Sequence, residues 1–300
     1  MDEERFYQAY FRTRRGGVGI DYRTARHELL TCLGPSARLT NEWPGRHRLA
    51  LSWLGDESPL IAMVTRLGYT QAVLRAISTP WSGREPDYRM AVRWPVGRIV
   101  YKGRDLQLTE VWVADEEDRL DRSPHRAGFA FASAPGDDVS GPRLHRRLSP
   151  LDAKLVANLA GLSDESRVLD PFAGLGAIGR AAMERDLDVW VSDIDPDLTP
   201  GLQERFPARF ALADAGRLPF SDGWFDGILG EPPYHRRDRA AVVASLPELA
   251  RVVRPGGVAV LLIADWMRRD MQPGDAWTEE LRLPVHRHGI ECSTLIWRRR

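Results

Sequence analysis

The chain has 300 residues, 43% of them hydrophobic, which is enough for one large domain or two of ordinary size. Basic and acidic residues balance at 42 each, so no global charge draws the chain to nucleic acid, and such a partner would need local basic faces. Cys32 and Cys292 form no ligand pattern, the longest apolar run (Gly256 to Trp266) is far short of the roughly 20 residues of a span, and the acidic opening "MDEERFYQAYF" has no signal-peptide core, so a cytoplasmic, metal-free protein off the membrane is expected.

In chain order, "RFYQAYFR" alternates like a strand and "YRTARHELLTCLG" reads as a helix ending at Gly34. "RHRLALSWLG" reads as a strand, and "SPLIAMVTRLGYTQAVLRAI" as a helix that passes into a strand after Gly68. "GRIVYKGRDLQLTEVWVAD" reads as a hairpin turning at Gly103. A small α/β domain summarises residues 1–140. Glycine, proline, serine and aspartate then crowd together from Ser133 to Arg143, as in a linker, and place a domain boundary near residue 140.

Beyond the linker, "LSPLDAKLVANLAGL" opens a helix with Ser149 as N-cap, Pro150 in the first turn and Asp152 three residues after the cap, ending near Gly161. Strand and helix patterns then alternate. "RVLD" and "DVWVSD" flank a helix beginning near Ala177, and "RFALAD", "WFDGILG" and "VAVLLIAD" supply three more strands. Such alternation predicts a mostly parallel, doubly wound sheet covered on both faces over residues 141–300. The closing segment "TEELRLPVHRHGIECSTLIWRR" reads as two strands turning at His288 and Gly289, an antiparallel pair at the end of that sheet.

Chemistry concentrates at the strand ends. "VLDPFAGLGAIG" places Gly174, Gly176 and Gly179 after a strand and at the opening of a helix, a turn that binds dinucleotides, S-adenosylmethionine or nothing. Asp170, just ahead of the glycines, is awkward for a pyrophosphate and tolerable for S-adenosylmethionine. Asp193 ends the second strand, where a carboxylate can accept ribose hydroxyls; Asp195 competes for that role, or caps the turn that Pro196 begins. Asp214 ends the third strand, suited to accept from an adenine amino group or to form an Asx turn. After the fourth strand, "GEPPY" sets Glu231, Pro232 and Tyr234 at the ligand-binding edge of the sheet. An exocyclic aromatic amine is a poor nucleophile that must be oriented by acceptors. The Glu231 carboxylate and the Pro232 carbonyl offer two, and Tyr234 offers a face for a planar base. The plain alternative is a proline-terminated strand with an exposed acid.

These motifs, "LDPFAGLGAIG", "SDID", "LADAGRLPF" and "GEPPY" in order, resemble class I methyltransferases of the amino-methylating branch that use S-adenosylmethionine. Within that branch, "RRLSPLDAKLVANLAGL", "RVLDPFAGLGAIGRAA" and "VWVSDIDPDL" are similar to the tRNA guanine-N2 methyltransferases with a THUMP-type N-terminal domain. The resemblance covers residues 145–300 well and the first half faintly. It implies a seven-stranded methyltransferase sheet with an antiparallel last strand, and a substrate-recognition domain over residues 1–140. It also implies catalysis at Glu231, Pro232 and Tyr234, and cofactor contacts at Asp170, Phe172, Gly174, Gly176, Asp193, Ile194, Asp214 and Ala215. The family usually carries aspartate or asparagine before the paired prolines; Glu231 is one methylene longer. The implied partner is tRNA or another nucleic acid, with a small-molecule amine as the alternative. Arg12, Arg14 and Arg15, Arg143 to Arg147, His235, Arg236 and Arg237, and the terminal arginines are candidates for phosphate contacts, with a solvated basic face as the alternative for each. Of ten tryptophans, Trp53, Trp112 and Trp190 lie in strand patterns and are expected in the core.

Overall fold

The computed structural model describes residues 4–12, 20–56, 58–64, 66–75, 98–101, 104–107, 111–113, 148–287 and 290–300. They fall into two compact units.

The first unit contains β1 (Glu4–Phe11), α1 (Tyr22–Leu33) from Ala25 onward, β2 (Ala37–Trp43), β3 (Arg48–Leu54), α2 (Ser58–Val64), β4 (Thr70–Arg75), β5 (Arg98–Tyr101), β6 (Arg104–Gln107) and β7 (Val111–Val113). A five-stranded sheet runs in the order β2-β3-β1-β4-β7, antiparallel at each junction, while β5 and β6 form the expected hairpin. Alternate residues of β1 (Tyr7, Ala9 and Phe11) are buried, which is the period-two pattern that made this strand readable. Strand β2 was not expected. None of its residues is fully buried, so it carries no apolar alternation to read. Arg12, a candidate for a phosphate contact, is instead a core residue: it is 1% exposed and its Nε donates to the Gly68 carbonyl at 2.9 Å. On the same segment, the buried Glu28 carboxylate accepts from the amides of Gly68 and Tyr69 at 2.7 and 2.8 Å. A buried polar side chain persists where its hydrogen bonds are met. Trp53 is buried as expected. The linker from Ser133 to Arg143, the turn at Gly103, Arg14, Arg15, Arg143 to Arg147 and the side chain of Trp112 lie outside the described residues.

The second unit contains α3 (Pro150–Leu159), β8 (Arg167–Asp170), α4 (Ala177–Met183), β9 (Asp188–Asp193), α5 (Thr199–Arg205), β10 (Phe210–Leu212), β11 (Phe225–Gly230), α6 (Arg239–Val252), β12 (Val253–Ala264), β13 (Trp277–Arg287) and β14 (Ile290–Arg299). The capping expected for α3 is present: the Ser149 hydroxyl accepts from the Asp152 amide at 3.1 Å. The seven strands run in the order β10-β9-β8-β11-β12-β14-β13. Pairing is parallel from β10 through β12, and β14 is antiparallel to both of its neighbours. The last strand in sequence is therefore the one reversed strand, as expected. The turn at His288 and Gly289 lies outside the described residues. Sheet and α6 share one core that includes Leu169, Phe225, Ile228, Leu249, Leu261 and Trp297.

Two features of this topology position a site. The chain starts at β8 and works outward to β10, then returns to lay β11 on the other side of β8, so a crevice opens between the carboxyl ends of β8 and β11. Gly230 lets β11 come close there, since a Cβ at that position would stand 3.2 Å from the Phe172 ring and 3.5 Å from Pro171. The strand end is thereby drawn against the loop that succeeds β8.

Candidate active site

A cavity of about 800 Å³ occupies that crevice in the second unit. The end of β8 and the loop after it supply Asp170, Phe172 and Gly174; the end of β9 supplies Asp193 and Ile194; the loop after β10 supplies Asp214 and Ala215. Glu231, Pro232 and Tyr234, which come after β11, complete the lining. All of the expected site residues except Gly176 meet around this one space.

The three glycines divide their work. Gly174 has φ +52°, and a Cβ there would meet nothing closer than 4.0 Å, so its backbone is open to a ligand. Gly176 does not line the cavity; a Cβ on it would press to 2.7 Å from the Phe206 ring. This close packing and a left-handed φ of +79° both call for glycine at position 176. Gly179 packs in the same way, since a Cβ on it would stand 2.7 Å from Phe206 and 2.9 Å from Val191, and its absence lets α4 lie close on β9.

The carboxylates at the cofactor end hold the loops as well as facing the cavity. Asp193 accepts from the Gly174 amide at 2.7 Å and from the Asp195 amide at 2.9 Å, which ties the glycine turn to the end of β9. Each carboxylate oxygen has a further lone pair for ribose hydroxyls. Asp195 caps the next turn, accepting from the Asp197 amide at 3.0 Å, as the capping alternative expects. Asp214 accepts from the Gly216 amide at 2.8 Å, so its Asx turn is also present while the residue borders the cavity. Asp170 is 2% exposed and accepts from the Phe172 amide at 3.1 Å. Burial pushes its carboxyl well above the usual range against that hydrogen bond, and the negative charges of Asp193 and Glu231 push it further.

The acceptor end contains a residue that no motif announced. Arg287, at the end of β13, donates from Nη1 to the Glu231 carboxylate and, at 3.1 Å, to the Tyr234 hydroxyl. Its Nε lies 3.2 Å from the Asp152 carboxylate of α3. Burial raises the Glu231 carboxyl above the usual range, Arg287 opposes that, and Asp152 adds to it. Tyr234 is half-buried with its hydroxyl turned inward, 3.4 Å from the Leu262 carbonyl and 4.0 Å from Cys292 Sγ. Burial, and then the Glu231 charge, hold its phenol well above 10.0. Burial likewise pushes the Cys292 thiol up to about 11, away from the thiolate form.

The cavity wall tests the expected cofactor. Asp170, Asp193, Asp195, Asp214, Glu231 and Asp238 border it, against Arg237 and Arg287. This excess of acid suits a ligand carrying a sulfonium and an ammonium and opposes a pyrophosphate. Ile194 is 66% exposed at the cavity edge, an uncovered apolar side chain of the kind that an adenine ring covers. The residues present therefore fit S-adenosylmethionine, with Asp193 placed for the ribose, Ile194 and Asp214 for the adenine, and Asp170 for the positively charged tail.

Comparison with known proteins agrees. Residues 168–257 match the family model described as a methyltransferase domain. An uncharacterized methyltransferase of Mycobacterium tuberculosis is 36% identical over 124 residues, covering 41% of this chain and 48% of that protein. The demethylmenaquinone methyltransferase of Beutenbergia cavernae is 31% identical over 160 residues, 53% of this chain and 65% of its own length. The chain thus spans about half to two thirds of the length of these curated relatives. Among solved structures, TrmN from Thermus thermophilus superposes with a TM-score of 0.55 at 16% identity, over 99% of this chain and 100% of that one, a likeness of fold. Residues 168–257 of the second unit thus match a methyltransferase domain and lie on the seven-stranded sheet, whose cavity residues fit S-adenosylmethionine.

Proposed function

We propose that the protein transfers a methyl group to an exocyclic amine, with guanine N2 in tRNA as the preferred acceptor. The observation that carries this reading is that Glu231, Pro232 and Tyr234 line the same cavity as the glycine turn. When bound, S-adenosylmethionine supplies a methyl group on a positively charged sulfur. The chain must then present a nitrogen lone pair in line with that carbon. Glu231 accepts one amine N–H and the Pro232 carbonyl the other, which turns the lone pair out of the aromatic plane toward the methyl group. Tyr234 borders the space where the planar base would lie. With the methyl donor bound, the lone pair would take the methyl carbon while the S–C electron pair remained on sulfur, and the Glu231 carboxylate or water at the mouth would take the amine proton. Buried acceptors stabilise the positive charge that develops on nitrogen.

A nucleic-acid acceptor is supported by the rim beside Tyr234. His235 and Arg237 border the cavity, the Arg237 side chain is 77% exposed, and Arg236 sits over the Trp266 ring at 5.5 Å. The resemblance to THUMP-containing tRNA guanine-N2 methyltransferases points the same way. A second reading, a small-molecule acceptor, is favoured by the acidic cavity wall, which repels phosphates, and by relatives named for quinone methylation. Labelled S-adenosylmethionine offered with total tRNA and, separately, with a panel of small aromatic amines decides between them. Label in tRNA, with binding that weakens steeply as salt rises, is the expected result. Label in small amines alone would select the second reading.

A further inference from the structure

The charge cluster behind the acceptor wall does more than end a strand. Its three members come from separate elements: Arg287 from β13, Glu231 from the end of β11 and Asp152 from α3, with side chains 11%, 18% and 9% exposed. We propose that Arg287 is the positioning residue of the acceptor site: it keeps Glu231 an anion and fixes the direction in which its oxygens meet the substrate. This rests on the reading of Glu231 as the amine acceptor.

Apart from Arg287 and the Tyr234 hydroxyl, whose hydrogen bond favours the anion, the groups around Glu231 favour its neutral form. Its own burial does so first, and the carboxylate of Asp152 acts in the same direction. Asp170 at the end of β8 and Glu231 repel each other, and Tyr234 and Cys292, from the β11 loop and β14, are themselves held neutral. A protonated Glu231 would carry an O–H that competes with the amine for the same oxygen and would lack the charge that opposes the developing ammonium. Arg287 is the cation that opposes these groups. A guanidinium also does what an ammonium cannot, because its planar fork fixes a direction. Nη1 serves both the Glu231 carboxylate and the Tyr234 hydroxyl, tying the acceptor to the ring beside it. Nε faces Asp152 at ion-pair distance without an aligned hydrogen bond, so Asp152 contributes charge more than direction.

The test reads the Glu231 carboxyl directly. Isotope-edited infrared spectra, with Glu231→Gln as the reference, track its C=O band against pH in the wild type, in Arg287→Met and in Arg287→Lys. The expected result is a band midpoint at higher pH in Arg287→Met and a return toward the wild-type midpoint in Arg287→Lys. In the lysine variant turnover should still be lower, on the order of 10- to 100-fold, with KM little changed, because the charge is present and the fork is not. Calorimetric binding of S-adenosylhomocysteine, expected to change by less than about 3-fold, reports an intact cofactor end. Should Arg287→Met fail to fold, the turnover of Arg287→Lys decides alone. An unmoved midpoint in Arg287→Met, or wild-type turnover in Arg287→Lys, would overturn the proposal. Failure of the wild type to methylate any amine would instead remove the amine reading and leave the infrared midpoints to judge Arg287.

Discussion

The two ends of the cavity are built differently. At the cofactor end each acid lies at or just beyond the end of its own strand and accepts from backbone amides a few residues away or on the adjoining loop: Asp170 from Phe172, Asp193 from Gly174 and Asp195, Asp214 from Gly216. At the acceptor end Glu231 is held by a side chain 56 residues away, with a second carboxylate on α3 behind it. The first arrangement is set by turn chemistry and tolerates change in the rest of the chain. The second exists only once β13 and α3 are packed in place. Binding cofactor and orienting the acceptor should therefore be separable by mutation.

The sharpest break is at Glu231. Glu231→Ala should lower turnover on the order of 100-fold or more, through loss of the oriented acceptor and of its charge. It should leave S-adenosylhomocysteine affinity nearly unchanged by calorimetry. Asp193→Ala should do the reverse, weakening cofactor binding by about 1.5–3 kcal/mol as charged hydrogen bonds are lost, with turnover at saturating cofactor retained. If both variants moved both quantities equally, the two ends would not be independent.

A pH series sharpens the comparison within the cofactor end. Asp170 has a raised carboxyl in the folded chain, so its stability contribution is fully present below the ordinary carboxylate range and is lost as pH rises toward the raised value. Asp170→Asn should therefore melt at a higher temperature than the wild type at neutral pH, without ligand, and the gain should vanish at low pH. The same variant should bind S-adenosylmethionine more weakly, because the acid is retained for a cation. A melting gain that persisted unchanged at low pH would contradict this account of its charge.

The smallest effect expected concerns the glycine turn. Gly176→Ala adds a Cβ 2.7 Å from Phe206 at a left-handed φ, and should cost about 1–3 kcal/mol of stability in chemical denaturation. Pairing it with Phe206→Leu should recover part of that loss, since room is made where the methyl intrudes. Recovery of cofactor affinity without recovery of stability would return Gly176 to the ligand.

Legibility in the sequence divides along the same line. Strand ends, glycine spacing and the Ser149 cap are local, so Asp170, Gly174, Asp193 and Asp214 could be placed from neighbours in the chain, as could the reversed last strand from the hairpin pattern of β13 and β14. Arg287 could not, because it sits in a polar, alternating strand segment among many arginines and its role is fixed by the long-range pairing that brings β13 to the sheet. Asp152 read only as an N-terminal helix acid, and its second role facing Arg287 leaves no mark on the capping pattern. Arg12 misled for the opposite reason. In "FRTRR" it looks like its basic neighbours, and only burial against Gly68 separates it from them. The signal that would have found Arg287 is chemical: a buried glutamate beside two prolines needs a cation, and β13 carries one next to its turn.

The most direct measurement is the position of the transferred methyl group. The protein is incubated with labelled S-adenosylmethionine and its acceptor, the product is digested and its methylated atom identified by mass spectrometry, for the wild type and for Glu231→Gln. The account predicts label on an exocyclic nitrogen, with turnover reduced in Glu231→Gln while cofactor binding is kept. Label on carbon or oxygen, or turnover unaffected by Glu231→Gln, would contradict it.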